Sequence, residues 1–174
     1  MRRGRRPPCT YVSSSEDVMA DRIGTGRGSG IGRTRRSLAQ TFAAIVGAVF
    51  LLVGILGFIP GITTNYDMME IAGHHSEAKL LGLFQVSVLH NIVHLLFGIV
   101  GLATAAVGAA AARMYLLIGG IIYLLLWLYG LAIDHESAAN FVPLNNADNW
   151  LHLILGLGMI ALWYLARPAR DVRA

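Results

Sequence analysis

Beyond residue 37 the chain alternates between long apolar runs and short polar interruptions. Four stretches contain no Asp, Glu, Lys or Arg: Ser37 to Tyr66, Leu80 to Ala112, Met114 to Ile133 and Asn149 to Ala166. A membrane-spanning helix needs about 20 mostly apolar residues to cross a hydrocarbon core of about 30 Å. Each stretch supplies one, which predicts an all-α, four-transmembrane-helix bundle with spans at about 38–59, 89–107, 114–133 and 149–166. Pro60-Gly61 ends the first span and Asp134 the third. Taken whole, Leu80 to Val107 would be about 42 Å of helix, too long for one straight crossing. Residues 80–88 are therefore expected to extend outward from the second span as an interfacial or protruding helical turn.

The apolar pattern is written twice. Gly47, Phe50, Leu51, Leu52 and Gly57 recur at the same offsets as Gly120, Tyr123, Leu124, Leu125 and Gly130. Asn91, His94, Leu95 and Gly98 recur as Asn149, His152, Leu153 and Gly156. Two repeated hairpins that cross in the same sense predict a parallel pseudo-two-fold axis along the membrane normal. Ala43/Gly47, Gly57/Gly61 and Gly101/Ala105 have small-xxx-small spacing, which lets helix backbones approach closely. Trp127, Tyr129 and Trp150 at one end, and Tyr115, Trp163 and Tyr164 at the other, match aromatic belts at the two interfaces.

Charge orients these helices. Nine basic residues precede the first span, Arg113 lies between the second and third, and Arg167, Arg170 and Arg173 follow the fourth; Lys79 alone falls on the other side. Basic flanks stay inside, so both termini are expected in the cytoplasm of a bacterial plasma membrane. The net charge of +4 then describes a rim facing anionic lipid, and nucleic acid is not an expected partner. The external loops are acidic, with Asp67, Glu70, Glu77, Asp134, Glu136 and Asp148. Residues 1–37, rich in Arg, Gly and Ser without helical or strand period, read as a disordered cytoplasmic tail, and 167–174 as a short basic one. Met19 opens an alternative, shorter reading frame, which leaves the true start between Met1 and Met19 open.

Composition agrees: 55% hydrophobic, 14% charged and a mean hydropathy of +0.58 lie outside the range of a soluble domain of this length. Cys9 is the only cysteine, which excludes an internal disulfide and a cysteine-based metal site. The glycines at 24, 26, 28, 30 and 32 follow no strand and open no crossover helix, so they do not make a dinucleotide fingerprint. Thr34-Arg35-Arg36 before the first span imitates a twin-arginine signal, yet the run that follows is too long and lacks a small-residue cleavage site.

The strings GAVFLLVGILGFIPGITTNYD, LLGLFQVSVLHNIVHLLFGIVGLA, YLLLWLYG and SAANFVPLNNADNWLHLILGLGM resemble the small four-helix membrane proteins of domain-of-unknown-function family 4383, found mainly in actinobacteria. The resemblance covers roughly Leu38 to Ala166. It implies a four-helix plasma-membrane protein and no particular activity.

Candidate chemistry is confined to few residues. His90, Asn91 and His94 on the second span, with Asn149 and His152 on the fourth, form an intramembrane polar cluster, and such groups are rare enough in a span to mark a site. One reading is glue, each contact worth about 0.6 to 2 kcal/mol. A second places haem between His94 and His152 as paired axial ligands of a redox subunit. A third is a proton or solute path through a small oligomeric transporter or channel. His74-His75, Glu70 and Glu77 in the first loop, with Asp134-His135-Glu136 in the second, could bind a divalent metal, though their spacing fits no metal motif. Asn145 to Asn149 should cap the fourth helix. No nucleophile stands in order with a base and no phosphate loop is present, so the expectation is a structural or interaction protein without catalysis or cofactor. Its partner would be a membrane protein or a second copy of the chain.

Overall fold

A computed structural model describes residues 36–167. The predicted disordered tail and the basic C-terminal segment lie outside the described residues, apart from Arg36, Ser37 and Arg167. Among the described residues there are four long helices: α1 (Leu38–Leu56), α2 (Val88–Val107), α3 (Ala109–Ala132) and α4 (Asn146–Leu165). α1, α2 and α3 are long and apolar enough to cross a membrane. α4 is less apolar because Asn146, Asp148, Asn149 and His152 occupy its first two turns.

Local signals set the helix ends. At α1, Ser37 Oγ accepts from Gln40 N at 3.2 Å and Gln40 Oε1 accepts from Ser37 N at 3.0 Å, a reciprocal capping box. The helix stops at Leu56, short of the expected 59, because Phe58 and Ile59 bond back three residues to Ile55 and Leu56 in a tightening turn. α3 starts five residues before the expected 114. Ala109 to Ala112 are strong helix formers, and Arg113 stays within the helix by laying its guanidinium over the Trp163 ring, 5.5 Å from its centroid. Gly108 alone joins α2 to α3; its φ of 154° is a conformation that side chains rarely adopt.

Residues 80–88 are not the expected helical turn. Leu80, Phe84 and Gln85 instead belong to a three-stranded antiparallel sheet, β1 (Thr63–Thr64), β2 (Lys79–Leu80) and β3 (Phe84–Gln85), in the order β1-β2-β3, and helix begins only at Val88. The reason lies in what the segment covers. Ala78, Leu80 and Val86 are buried and pack with Phe84 over Val53 and Leu56 at the end of α1. Ser87 then caps α2 by accepting from His90 N at 3.1 Å.

The helices pack as two close pairs, α1 with α2 and α3 with α4. Glycine makes the approach possible in both. A Cβ on Gly98 would lie 2.6 Å from Leu51 N and 2.7 Å from Gly47 O, and one on Gly156 2.8 Å from the Leu124 side chain and 3.1 Å from Gly120 O. Nearer the loops, Gly57 faces the Asn91 amide and Gly130 the Asn149 amide, each so closely that a side chain at the glycine would overlap it. Between the pairs lies a core of Phe50, Tyr115, Leu116, Tyr123 and Met159. Phe50 and Tyr123, which hold matching places in the sequence repeat, stack with centroids 5.4 Å apart.

The connections at the end away from Gly108 are bonded to each other. Asp148 Oδ2 accepts from Gln85 N at 3.1 Å, Asn145 Nδ2 donates to Leu83 O at 2.9 Å, and Gly73 N donates to Phe141 O at 2.7 Å. The expected cap of α4 is present: Asn145 Oδ1 accepts from Asp148 N and Asp148 Oδ2 from Asn145 N, both at 3.0 Å.

Candidate functional site

Polar residues in an apolar bundle are placed by the turns that carry them. His90 and His94 are one turn apart on α2, and their rings stack at 4.4 Å with 7° between planes. His94 Nδ1 lies 3.0 Å from His90 O. A carbonyl can only accept, so His94 carries its proton on Nδ1 and presents Nε2 as an acceptor. His152 lies on α4 beside Tyr123 at 5.2 Å, and His94 lies beside Phe50 at 5.5 Å. Nδ1 of His90 and Nδ1 of His152 are buried without a hydrogen-bond partner.

The three histidines line one cavity of about 300 Å³, together with Tyr123 and Leu126 of α3 and Phe141 and Val142 of the last loop. It sits between α2 and α3, which meet at Gly108 and pack chiefly against other partners. Of the five polar residues singled out in the sequence, His90, His94 and His152 are thus brought together. Asn91 and Asn149 are not; they face Gly57 and Gly130, with both Oδ1 atoms buried and unpartnered. Tyr123, Phe141 and Val142 were not recognised as site residues. The one available signal was that Tyr123 answers Phe50 in the repeat.

The loop residues considered for a divalent metal are dispersed. His74, Glu77 and Glu136 share a polar depression with Lys79. Asp134 serves its own turn, accepting from Glu136 N at 3.0 Å, while His135 Nε2 contacts Gly130 O at 2.9 Å. Among the described residues, no three His, Cys, Asp or Glu side chains are grouped to hold a metal ion.

A bundle of four helices, three of them long and apolar enough to span a bilayer, built on paired glycines and buried histidines, is that of a small membrane protein. Residues 40–165 match the family described as domain of unknown function (DUF4383), and the chain belongs to that family. No curated protein and no solved structure matches the chain.

Proposed function

We propose that this is a non-catalytic interaction protein of the bacterial plasma membrane. All four helices span the bilayer, both termini are cytoplasmic, and the two hairpins are related by an approximate two-fold axis along the membrane normal. Support for the axis comes from contacts made twice by repeat-matched residues: Gly47 with Gly98 as Gly120 with Gly156, Gly57 with Asn91 as Gly130 with Asn149, and Phe50 with His94 as Tyr123 with His152. Arg113 and Arg167 over Trp163, and Arg167 over Tyr164, suit an inner rim facing anionic headgroups. A cysteine placed at Glu136 is expected to react with an impermeant maleimide in intact cells, and one placed at Val172 only after permeabilisation.

The observation that carries the interaction role is Leu81. It is 68% exposed and holds a φ of 55°, a left-handed conformation that costs a residue with a side chain about 1–2 kcal/mol. A strained backbone presenting a bare apolar side chain fits a surface kept for contact better than one selected for stability. Leu83 and Ile71 in the same connection are also exposed. A photo-crosslinking residue at position 81 should give one discrete protein adduct in cells, either to a different membrane protein or to a second copy. Adducts to lipid alone would overturn the reading.

The same proposal holds that no haem bridges His94 and His152. His94 packs against His90 and Phe50, His152 packs against Tyr123, and Phe50 stacks on Tyr123, and this filling of the space by side-chain rings supports the reading. Protein purified from a haem-sufficient host is expected to show no Soret band. A band lost in both His94→Ala and His152→Ala would make the protein a membrane cytochrome instead.

A further inference from the structure

The repeat accounts for His94, His152, Asn91 and Asn149, each of which has its counterpart. It does not account for His90, whose matching position in the second hairpin is Asp148. Asp148 is committed to the backbone of Gln85 and Asn145, whereas His90 leaves a buried ring nitrogen unpartnered and lines the cavity. The exception to the pattern therefore falls where the structure is hollow.

The lining limits what can enter. Among the described residues, no Lys, Arg, Asp or Glu borders the cavity, so a carboxylate or phosphate headgroup would be desolvated without a counter-charge. The occupant is uncharged. Its wall is aromatic, with Tyr123 and Phe141 beside the three imidazoles, and aromatic walls favour a flat ring. His94 presents an acceptor at Nε2, which a hydroxyl satisfies and a carbonyl does not, while the neutral rings of His90 and His152 each keep one N–H. Below, a second hollow of about 450 Å³ follows the seam between α2 and α3, lined by Phe97, Val100, Ile118 and Ile122 among others. Phe97 is one turn along from Val93 and Ile122 one turn along from Leu126, which both line the upper cavity. Ring site and tail groove are thus consecutive along one seam.

We propose that this cavity binds the headgroup of a prenylated quinol, an aromatic diol on an apolar tail, taken from the bilayer between α2 and α3. At about 300 Å³ it is at the small end of ligand pockets, which suits a single substituted ring. The inference is independent of the interaction reading above and of Leu81.

The test is equilibrium binding of a benzoquinol with a ten-carbon tail to the full-length protein in quinone-free nanodiscs, with reductant under argon. The quinol should bind saturably at one site per chain and at least tenfold more tightly than the oxidised quinone, which has no hydroxyl to donate. Val142→Trp, which places bulk at the loop side of the cavity, should weaken binding at least tenfold with an unchanged circular dichroism spectrum. Ile154→Trp, in the matching groove between α1 and α4, should leave it unchanged. Equal binding of quinol and quinone, or equal loss in both tryptophan variants, would overturn the proposal. So would 1-dodecanol or palmitate binding as tightly as the quinol, since each would assign the cavity to an aliphatic alcohol or acid.

Discussion

The two helical hairpins share their packing chemistry and differ in what covers them. Over α1, at the place that corresponds to Leu126, Val53 lies beneath the small sheet, where Ala78, Leu80 and Val86 form a satellite core. Leu126 itself lies beneath Phe141 and Val142, beside the cavity, with no strand above it. Two helix pairs closed by the same glycine contacts thus carry one sealed end and one open end. The difference goes with loop length, since about thirty residues separate α1 from α2 and only thirteen separate α3 from α4. The shorter connection caps its helix through Asn145 and, among the described residues, carries no strand.

The largest effect should come from unsealing the closed end. Leu80 is 4% exposed and sits at the centre of the satellite core, and truncating a buried leucine costs about 2–5 kcal/mol. Leu80→Ala is expected to raise amide exchange across 63–86 by orders of magnitude while α3 and α4 keep their protection. Exchange that rises equally in both hairpins would mean the two ends are not independent.

Close packing offers the next comparison. At Gly98 the nearest atom facing an added Cβ is backbone, Leu51 N, with Gly47 O and the Leu51 side chain just beyond it, whereas at Gly156 the nearest belong to the Leu124 side chain. Overpacking costs about 1–3 kcal/mol, so Gly98→Ala should fall near the top of that range and Gly156→Ala near the bottom. Thermal unfolding in detergent should therefore show Gly98→Ala melting first. The reverse order would contradict the tighter approach of the first pair.

Asp148 joins the sealed end to the open one. Its Oδ2 receives two backbone N–H groups, one from β3 and one from the cap of α4, and it is 2% exposed. Asp148→Ala leaves both part-buried donors without their acceptor, at a total cost of about 1–3 kcal/mol. The melting temperature should fall, and exchange should rise at Gln85 and Asn145 together. A rise at only one of them would show that the carboxylate does not couple the loops.

Much of this was legible in the sequence because membrane spans depend on long apolar runs, and such runs survive imprecise boundaries. The cap of α4 was legible because Asn145 and Asp148 carry their own acceptors. Arg113 misled, since a charge was treated as the limit of a span although a long side chain can reach an aromatic partner from within the helix. The sheet was hidden because strands of two residues hold too few positions to display a period and are fixed by what they cover. At the site, the histidines stood out as polar groups in apolar runs. Tyr123, Phe141 and Val142 did not, because apolar residues in a membrane protein become a wall only when the fold leaves a space beside them.

The smallest effect separates stability from use. Leu81 keeps a left-handed backbone next to Gly82, which has a φ of 71°, in the turn between β2 and β3. Replacing it with Gly removes a steric cost of about 1–2 kcal/mol but restores about 0.4–1 kcal/mol of chain freedom in the unfolded state. The side chain is 68% exposed, so little burial is lost. Leu81→Gly should therefore stabilise the protein by about 0.5–1 kcal/mol, read as a higher melting temperature. If the leucine is retained for contact, the stabilised variant should lose the partner that crosslinks at position 81. A variant that is more stable and still binds would leave the strain without a use, and the interaction surface would have to be sought at Ile71 and Leu83 instead.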